Sequence, residues 1–265
     1  MEAWIDFGRG PLFRLAFSLM VLGLLRIFLL TLLGLRQAYR QSPDKIVSWK
    51  EIGRKTVGWL FPVGRLWKVR PVYSAISVLF HAGLLVVPLL LASHVLLWKR
   101  GLGFAWPAVP QPLADWLTLL VIATGPALFL ARLLNRGARV LSRRQDYLWP
   151  LLLALPFVTG YICTHGAIGP EAYQWMMLVH VYTANLIMAL MPFSKIAHCV
   201  LAPLSQLVTA ISWKFPEGAG DKVAATLGYA NRPTWAEKSR LGGLDPDPAP
   251  ARREAQPMIK EVCPR

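Results

Sequence analysis

Five long apolar stretches, at roughly 11–35, 71–98, 113–135, 147–168 and 172–198, constrain this chain more than any other feature. A helix that crosses a bilayer needs about 20 mainly apolar residues, and each stretch meets that length. The 265 residues are 55% hydrophobic, with a mean hydropathy of +0.42, well beyond what a soluble domain of this size needs to fill a core. The expected fold is therefore all-α: an integral membrane bundle of five transmembrane helices over residues 1–214, followed by a tail, 215–265. The tail is polar and rich in Gly and Pro, including DPDPAPARRE, and cannot build a core of its own. It is expected to be disordered or to dock on a partner. No internal repeat is visible.

The formal net charge of +15 would suggest nucleic acid in a soluble protein, but here the basic residues lie between apolar runs, where they set topology. Residues 36–70 hold Arg36, Arg40, Lys45, Lys50, Arg54, Lys55, Arg65, Lys68 and Arg70, and 132–144 holds Arg132, Arg136, Arg139, Arg143 and Arg144. The connection 99–112 offers only Lys99 and Arg100, and 169–171 has no basic residue. The positive-inside rule then places the N-terminus outside and the C-terminus in the cytoplasm. Glu2 and Asp6 precede the first run, unlike the basic start of a cleaved signal peptide, so that run is expected to be retained. Within 36–70, VSWKEIGRKTVGWLF reads as an amphipathic helix on the inner surface. LAPLSQLVTAISWKF, after residue 198, is expected to extend the last helix or lie along the same interface. Trp59, Trp67, Trp98, Trp106 and Trp149 suit the interfacial belts. The basic loops and the tail point to a protein partner and to anionic lipid.

Ionisable groups inside a membrane are costly and mark function. Four of the five histidines, His81, His94, His180 and His198, fall on two expected helices. Antiparallel packing of these helices levels His81 with His198 near the inner side and His94 with His180 near the outer side. His180 and His198 are 18 residues apart, five helical turns and roughly 27 Å on one face. His81 and His94 are 13 apart, about 3.6 turns, which leaves them out of phase unless Pro88 bends the helix. A lone histidine in such a place is often a hydrogen-bonding interface residue, but two matched pairs suit axial ligation of haem iron by neutral imidazole. Zinc is disfavoured because a structural site needs four close ligands. Cys163, Cys199 and Cys263 lie far apart, with no CxxC or CxxCH, so cysteine is not expected to hold a cofactor.

The stretch LMPFSKIAH, residues 190–198, resembles the end of the last helix in the gamma subunit of respiratory nitrate reductase. There a Pro-Phe-Ser/Thr-basic-apolar-x-His sequence follows another histidine 18 residues earlier. VLFHAG, residues 78–83, resembles that family's first histidine segment. Related cytochrome b subunits occur in membrane complexes of sulfate reducers whose partner resembles the iron-sulfur subunit of heterodisulfide reductase. The likeness covers roughly residues 70–200. It implies a subunit with two b-type haems in a prokaryotic inner membrane, passing electrons between quinol, such as menaquinol, and a cytoplasmic iron-sulfur partner.

On this resemblance His81 and His198 match the inner haem ligands, and His94 and His180 the outer ones. The family's second-helix histidines lie closer together than 13 residues, so His165, in YICTHGAIGP, stands as a rival to His94. Its other readings are binding or deprotonating a quinol and simply capping the helix end at the interface. Lys195 and Arg26 are candidates for haem propionate contacts, and both also fit snorkelling to the interface. Thr183 and Asn185 are expected to hydrogen-bond between helices.

Two other function classes fit the same residues. A haem-free anchor would keep its assembly and absorption when His81 or His198 is replaced. A proton-coupled transporter using a histidine relay would work without haem, although the apolar mid-spans offer it no acidic partner.

Overall fold

The computed structural model describes residues 1–60, 68 and 70–227. Among these residues the chain is helical, with no strands. Six helical segments among the described residues are long and apolar enough to cross a membrane: Glu2–Gln41, Pro71–Leu90, Gln111–Leu134, Arg144–His165, Pro170–Phe193 and Lys195–Ser212. The protein is a multi-pass membrane protein. Five of these segments overlap the five expected spans, and the sixth, Lys195–Ser212, covers the stretch expected to extend the last helix or lie along the interface.

The helices are α1 (Glu2–Phe7), α2 (Phe13–Gln41), α3 (Trp49–Leu60), α4 (Pro71–Leu90), α5 (Ala92–Leu102), α6 (Gln111–Leu134), α7 (Arg136–Leu141), α8 (Arg144–His165), α9 (Pro170–Leu190), α10 (His198–Ser212) and α11 (Ala219–Thr226). A π-helical turn over Gly8–Leu12, containing Pro11, joins α1 to α2. The first apolar run thus starts nine residues before its expected edge.

Two compact units divide the chain, one of Met1–Tyr39 with Lys45–Trp213 and the other of Arg40–Asp44 with Lys214–Arg265. In the second, Lys214 pairs with Asp44, α11 is the one helix wholly inside it among the described residues, and the stretch DPDPAPARRE and Cys263 lie outside the described residues. The remaining features belong to the first unit.

There, α4 packs on α6, α6 on α8, and α8 on α9. Phe80, Val87, Val121, Leu128 and Phe157 form the shared core, and leucines such as Leu22 and Leu33 of α2 face outward, as lipid contact requires. Close approach of α4 and α6 depends on Gly83. A Cβ there would lie 2.4 Å from Val121 Cγ2 and 2.6 Å from the Leu117 carbonyl oxygen, and Val121 is 0% exposed. Backbone cannot yield as a flexible side chain can, so Gly83→Ala is expected to destabilise the bundle by about 1–3 kcal/mol. A thermal unfolding series in detergent checks this, and an unchanged Tm would refute it.

The expected second span, 71–98, is broken. Leu91 is extended (φ −65°, ψ 134°) between α4 and α5. A helix end leaves its last four carbonyls without intrahelical donors, and here each finds one. Val87 O accepts from Leu91 N at 3.1 Å and from His94 Nδ1 at 3.0 Å. Pro88 O accepts from Trp98 Nε1 at 3.1 Å, Leu89 O from Trp106 Nε1 at 2.7 Å, and Leu90 O from Val109 N at 2.9 Å. Trp98 is therefore a buried structural donor, rather than a belt residue. Trp67 and the side chain of Trp59 lie outside the described residues. Gly103, at φ 87°, closes α5 in the left-handed conformation that favours glycine.

The fifth expected span, 172–198, ends as a continuous helix at Leu190. Two 3₁₀ turns follow, Met191–Phe193 and Lys195–Ala197, separated by extended Ser194. Pro192 sits in the first turn, where its missing N–H costs nothing, and the Ser194 hydroxyl caps the second by accepting from Ile196 N at 3.3 Å. His180 and His198 thus do not share one helix, and the five-turn spacing does not describe them. His198 instead begins α10, which packs along α3. On α3, Lys55 and Glu51 form an i,i+4 ion pair at 2.8 Å, and the Lys55 ammonium holds the Glu51 carboxyl below its ordinary pKa.

Candidate functional site

The break at Leu91 turns α5 so that His94 meets His180 of α9. Their ring centres are 6.0 Å apart and their planes lie within 14°. Below them in α4, His81 meets His198, with ring centres 6.1 Å apart and planes crossed at 83°.

All four rings are oriented in the same chemical way. Nδ1 of His81 donates to Ser77 O at 2.7 Å, and Nδ1 of His94 donates to Val87 O at 3.0 Å. His180 Nδ1 donates to Pro156 O at 2.8 Å, and His198 Nδ1 donates to Lys195 O at 2.7 Å. A carbonyl only accepts, so Nδ1 carries the proton in each neutral ring and Nε2 keeps its lone pair. Metal-binding histidines are held in this manner, with the second nitrogen on a backbone carbonyl or carboxylate.

The spacing matches ligation as well. With metal–imidazole bonds of about 2.0 Å and each ring centre about 1.1 Å beyond its nitrogen, one ion between two imidazoles separates the ring centres by about 6.2 Å. Among the described residues no group of three or more His, Cys, Asp or Glu side chains gathers to hold a bare ion. Two imidazoles at this spacing are the kind of donor set that suits a macrocycle supplying its own equatorial nitrogens.

A cavity of about 500 Å³ adjoins the outer pair, within the range of cofactor and ligand pockets. His94, His180, Arg9, Arg100 and Asp115 line it, with Gly160 of α8 beside His180. A Cβ on Gly160 would lie 3.0 Å from His180 Cε1 and 3.1 Å from Nδ1. The missing side chain is what lets the imidazole reach the Pro156 carbonyl.

Near the inner pair, the N-terminus of α8 grips the turn that carries His198. Gln145 Oε1 accepts from Lys195 N at 3.3 Å, and Lys195 Nζ is paired with Asp146. Arg132 Nη1 lies 3.8 Å from the other Asp146 oxygen, and its Nη2 reaches Tyr73 Oη at 3.4 Å. Asp146 also accepts from Arg143 N at 2.8 Å, which satisfies a backbone donor at the start of α8. Lys195 therefore serves twice, with its carbonyl orienting His198 and its ammonium fastened to α8.

His165 lies apart from both pairs. Its Nε2 is 3.0 Å from Asp115 Oδ1, and its ring packs 4.5 Å from that of Tyr161. Arg26 is on the exposed side of α2 with no polar partner among the described residues. Asn185 bonds between helices, its Nδ2 donating to Gly8 O at 2.9 Å. Thr183, expected to do likewise, bonds back to Val179 O and His180 O within α9, as a hydroxyl facing its own preceding turn can. Cys163 and Cys199 are free thiols.

A curated protein from Nitratidesulfovibrio vulgaris, described in its name only as "Protein", is 29% identical over 188 residues, covering 71% of this chain and 81% of its own. No family model and no solved structure matches the chain.

Sequence reasoning passed over Arg9, Arg100, Asp115, Arg132, Asp146 and Gly160. Two signals pointed to some of them. An acid such as Asp115 is rare inside an apolar helix, and a glycine such as Gly160 in mid-helix often marks a close approach. The gathering of Arg132, Asp146 and Lys195 has no local signature, since three separate segments supply it.

Proposed function

We propose that this protein is a membrane electron-transfer subunit with two b-type haems, ligated by His81 and His198 on the inner side and by His94 and His180 on the outer side. One observation carries the reading. The four paired histidines all donate Nδ1–H to a backbone carbonyl and keep Nε2 free, whereas the unpaired His165 places its Nε2 against a carboxylate. Histidines that merely joined helices would have no reason to share one tautomer and one spacing.

The haems, when bound, supply reversible one-electron chemistry. The chain's own part is to fix the ligands, exclude water and set charge around each pair. Arg9 and Arg100 on the outer cavity are suited to haem propionates, a role that sequence reasoning gave to Arg26 and Lys195. Lys195, already engaged by Asp146, is better suited to fixing the His198 turn.

The topology that fits the basic loops keeps the N-terminus outside and the C-terminus in the cytoplasm of a prokaryotic inner membrane. In it, α10 lies along the inner surface rather than crossing, because its neighbour α3 carries Lys50, Glu51, Arg54 and Lys55 and cannot enter hydrocarbon. Quinol is oxidised near the outer pair, and electrons pass through the inner pair to a cytoplasmic iron-sulfur partner that docks on the basic loops and tail. The decisive measurement is a reduced-minus-oxidised spectrum with haem extraction from the purified protein. About two b-type haems per chain are expected. A well-folded preparation without haem would sink this reading and leave a haem-free anchor in its place.

A further inference from the structure

Asp115 is the acidic side chain on the wall of the outer cavity. It stands four residues into α6, about 6 Å below the start of that helix. Its Oδ1 accepts from Gln111 Nε2 at 2.8 Å and lies 3.0 Å from His165 Nε2. The cavity wall includes Asp115 and Tyr161 but not His165. The two groups also differ in exposure, at 25% for the Asp115 side chain and 38% for that of His165. A hydrogen-bonded carboxylate–imidazole pair thus runs from the cavity lining to the helix end at the surface. Around Asp115 the titratable and charged groups of that wall are Tyr161 and Cys163 on α8, Tyr173 and His180 on α9, His94 and Arg100 on α5, and Arg9 on the π-turn.

We infer that Asp115 and His165 form the proton outlet of the outer cavity. This rests on the proposed quinol-oxidising role and deepens it. A hydroquinone oxidised there breaks two O–H bonds and gives up two protons and two electrons. A haem held by His94 and His180 would be the one-electron oxidant, taking the two electrons one at a time and passing each to the inner pair and the partner. Each proton passes to the Asp115 carboxylate, crosses the 3.0 Å hydrogen bond to His165, and is released to outside water. Asp115 is the proton acceptor because it lines the cavity, and His165 is a relay that works through it. Proton transfer to a positioned base is worth roughly 10²–10⁴-fold in rate.

The test uses the haem-loaded protein in lipid nanodiscs and follows haem reduction by stopped flow, once with a short-chain naphthohydroquinone and once with dithionite. Asp115→Asn keeps the shape and the Gln111 contact. It is expected to slow hydroquinone-driven reduction at least ~100-fold with haem content and dithionite reduction unchanged, and added acetate is expected to restore part of the rate. His165→Gln should give a smaller loss in the same assay, and, at an exposed helix end, it keeps the question open to test if the Asp115 variant does not fold. Hydroquinone reduction at the normal rate in both variants overturns the proposal. A loss that acetate leaves unrescued and that extends equally to dithionite also overturns it, by assigning Asp115 a structural role. An unmodified protein with haem that hydroquinone does not reduce, or one without haem, fails the underlying function first and removes the outlet with it.

Discussion

If the paired histidines hold two haems as proposed, Gly160→Val is expected to remove the outer one while leaving all four histidines in place, so that the purified protein carries about one haem per chain instead of two. The Cβ alone would stand 3.0 Å from His180 Cε1 and 3.1 Å from its Nδ1, and valine adds two methyl groups on a stiff β-branched side chain. The imidazole cannot keep both its place and its 2.8 Å bond to Pro156 O. Loss of an orienting partner costs a metal-binding histidine roughly 10–100-fold in affinity, and displacement of the ring adds to that. Gly160→Ala should weaken the outer site by the lesser amount, because the ring need move only a few tenths of an ångström. Gly34→Ala, with nothing within 4 Å of the added Cβ, is the control and should retain both haems. Haem extraction and the reduced-minus-oxidised spectrum read all three. Two normal haems in Gly160→Val would show that His180 is not held as the geometry implies.

If both pairs ligate haem as proposed, the two sites should also differ in kind. The outer rings are nearly parallel, at 14°, and the inner rings nearly perpendicular, at 83°. Parallel imidazoles both donate into the same iron d orbital and split the pair of orbitals that parallel the haem normal, which gives a rhombic low-spin spectrum. Crossed imidazoles donate equally to both, leave them nearly degenerate, and give a strongly anisotropic spectrum with one very low-field line. Low-temperature electron paramagnetic resonance of the ferric protein should show one signal of each type. His198→Ala should erase the anisotropic signal and spare the rhombic one, and His94→Ala should do the reverse. Two identical signals, or loss of the rhombic one in His198→Ala, would contradict the arrangement.

Much of this fold could be read in the residues because lipid imposes few solutions. Apolar runs of sufficient length must be helices, and the order of the histidines along them led to the right pairs, His81 with His198 and His94 with His180, although the four stand on four separate helices. What escaped was whatever depended on the backbone leaving regular geometry. Pro88 announced a disturbance, but the interruption falls three residues later at Leu91, where side chains from as far away as Trp106 receive the freed carbonyls. PFSK announced the inner boundary of a helix, but two 3₁₀ turns and a fresh helix lie there. Asp115 and His165 are 50 residues apart, and nothing local to either shows that α6 and α8 bring them together.

The termination of α4 bears on how the protein is built. Leu89 O and Leu90 O receive their donors from Trp106 and from the backbone of Val109, residues made only after α5 is complete. Until the segment 103–109 folds back, the end of α4 presents bare carbonyls to its surroundings, and His94 is attached to a helix end that has not yet closed. Closure of the α4 end thus waits on the loop that follows α5.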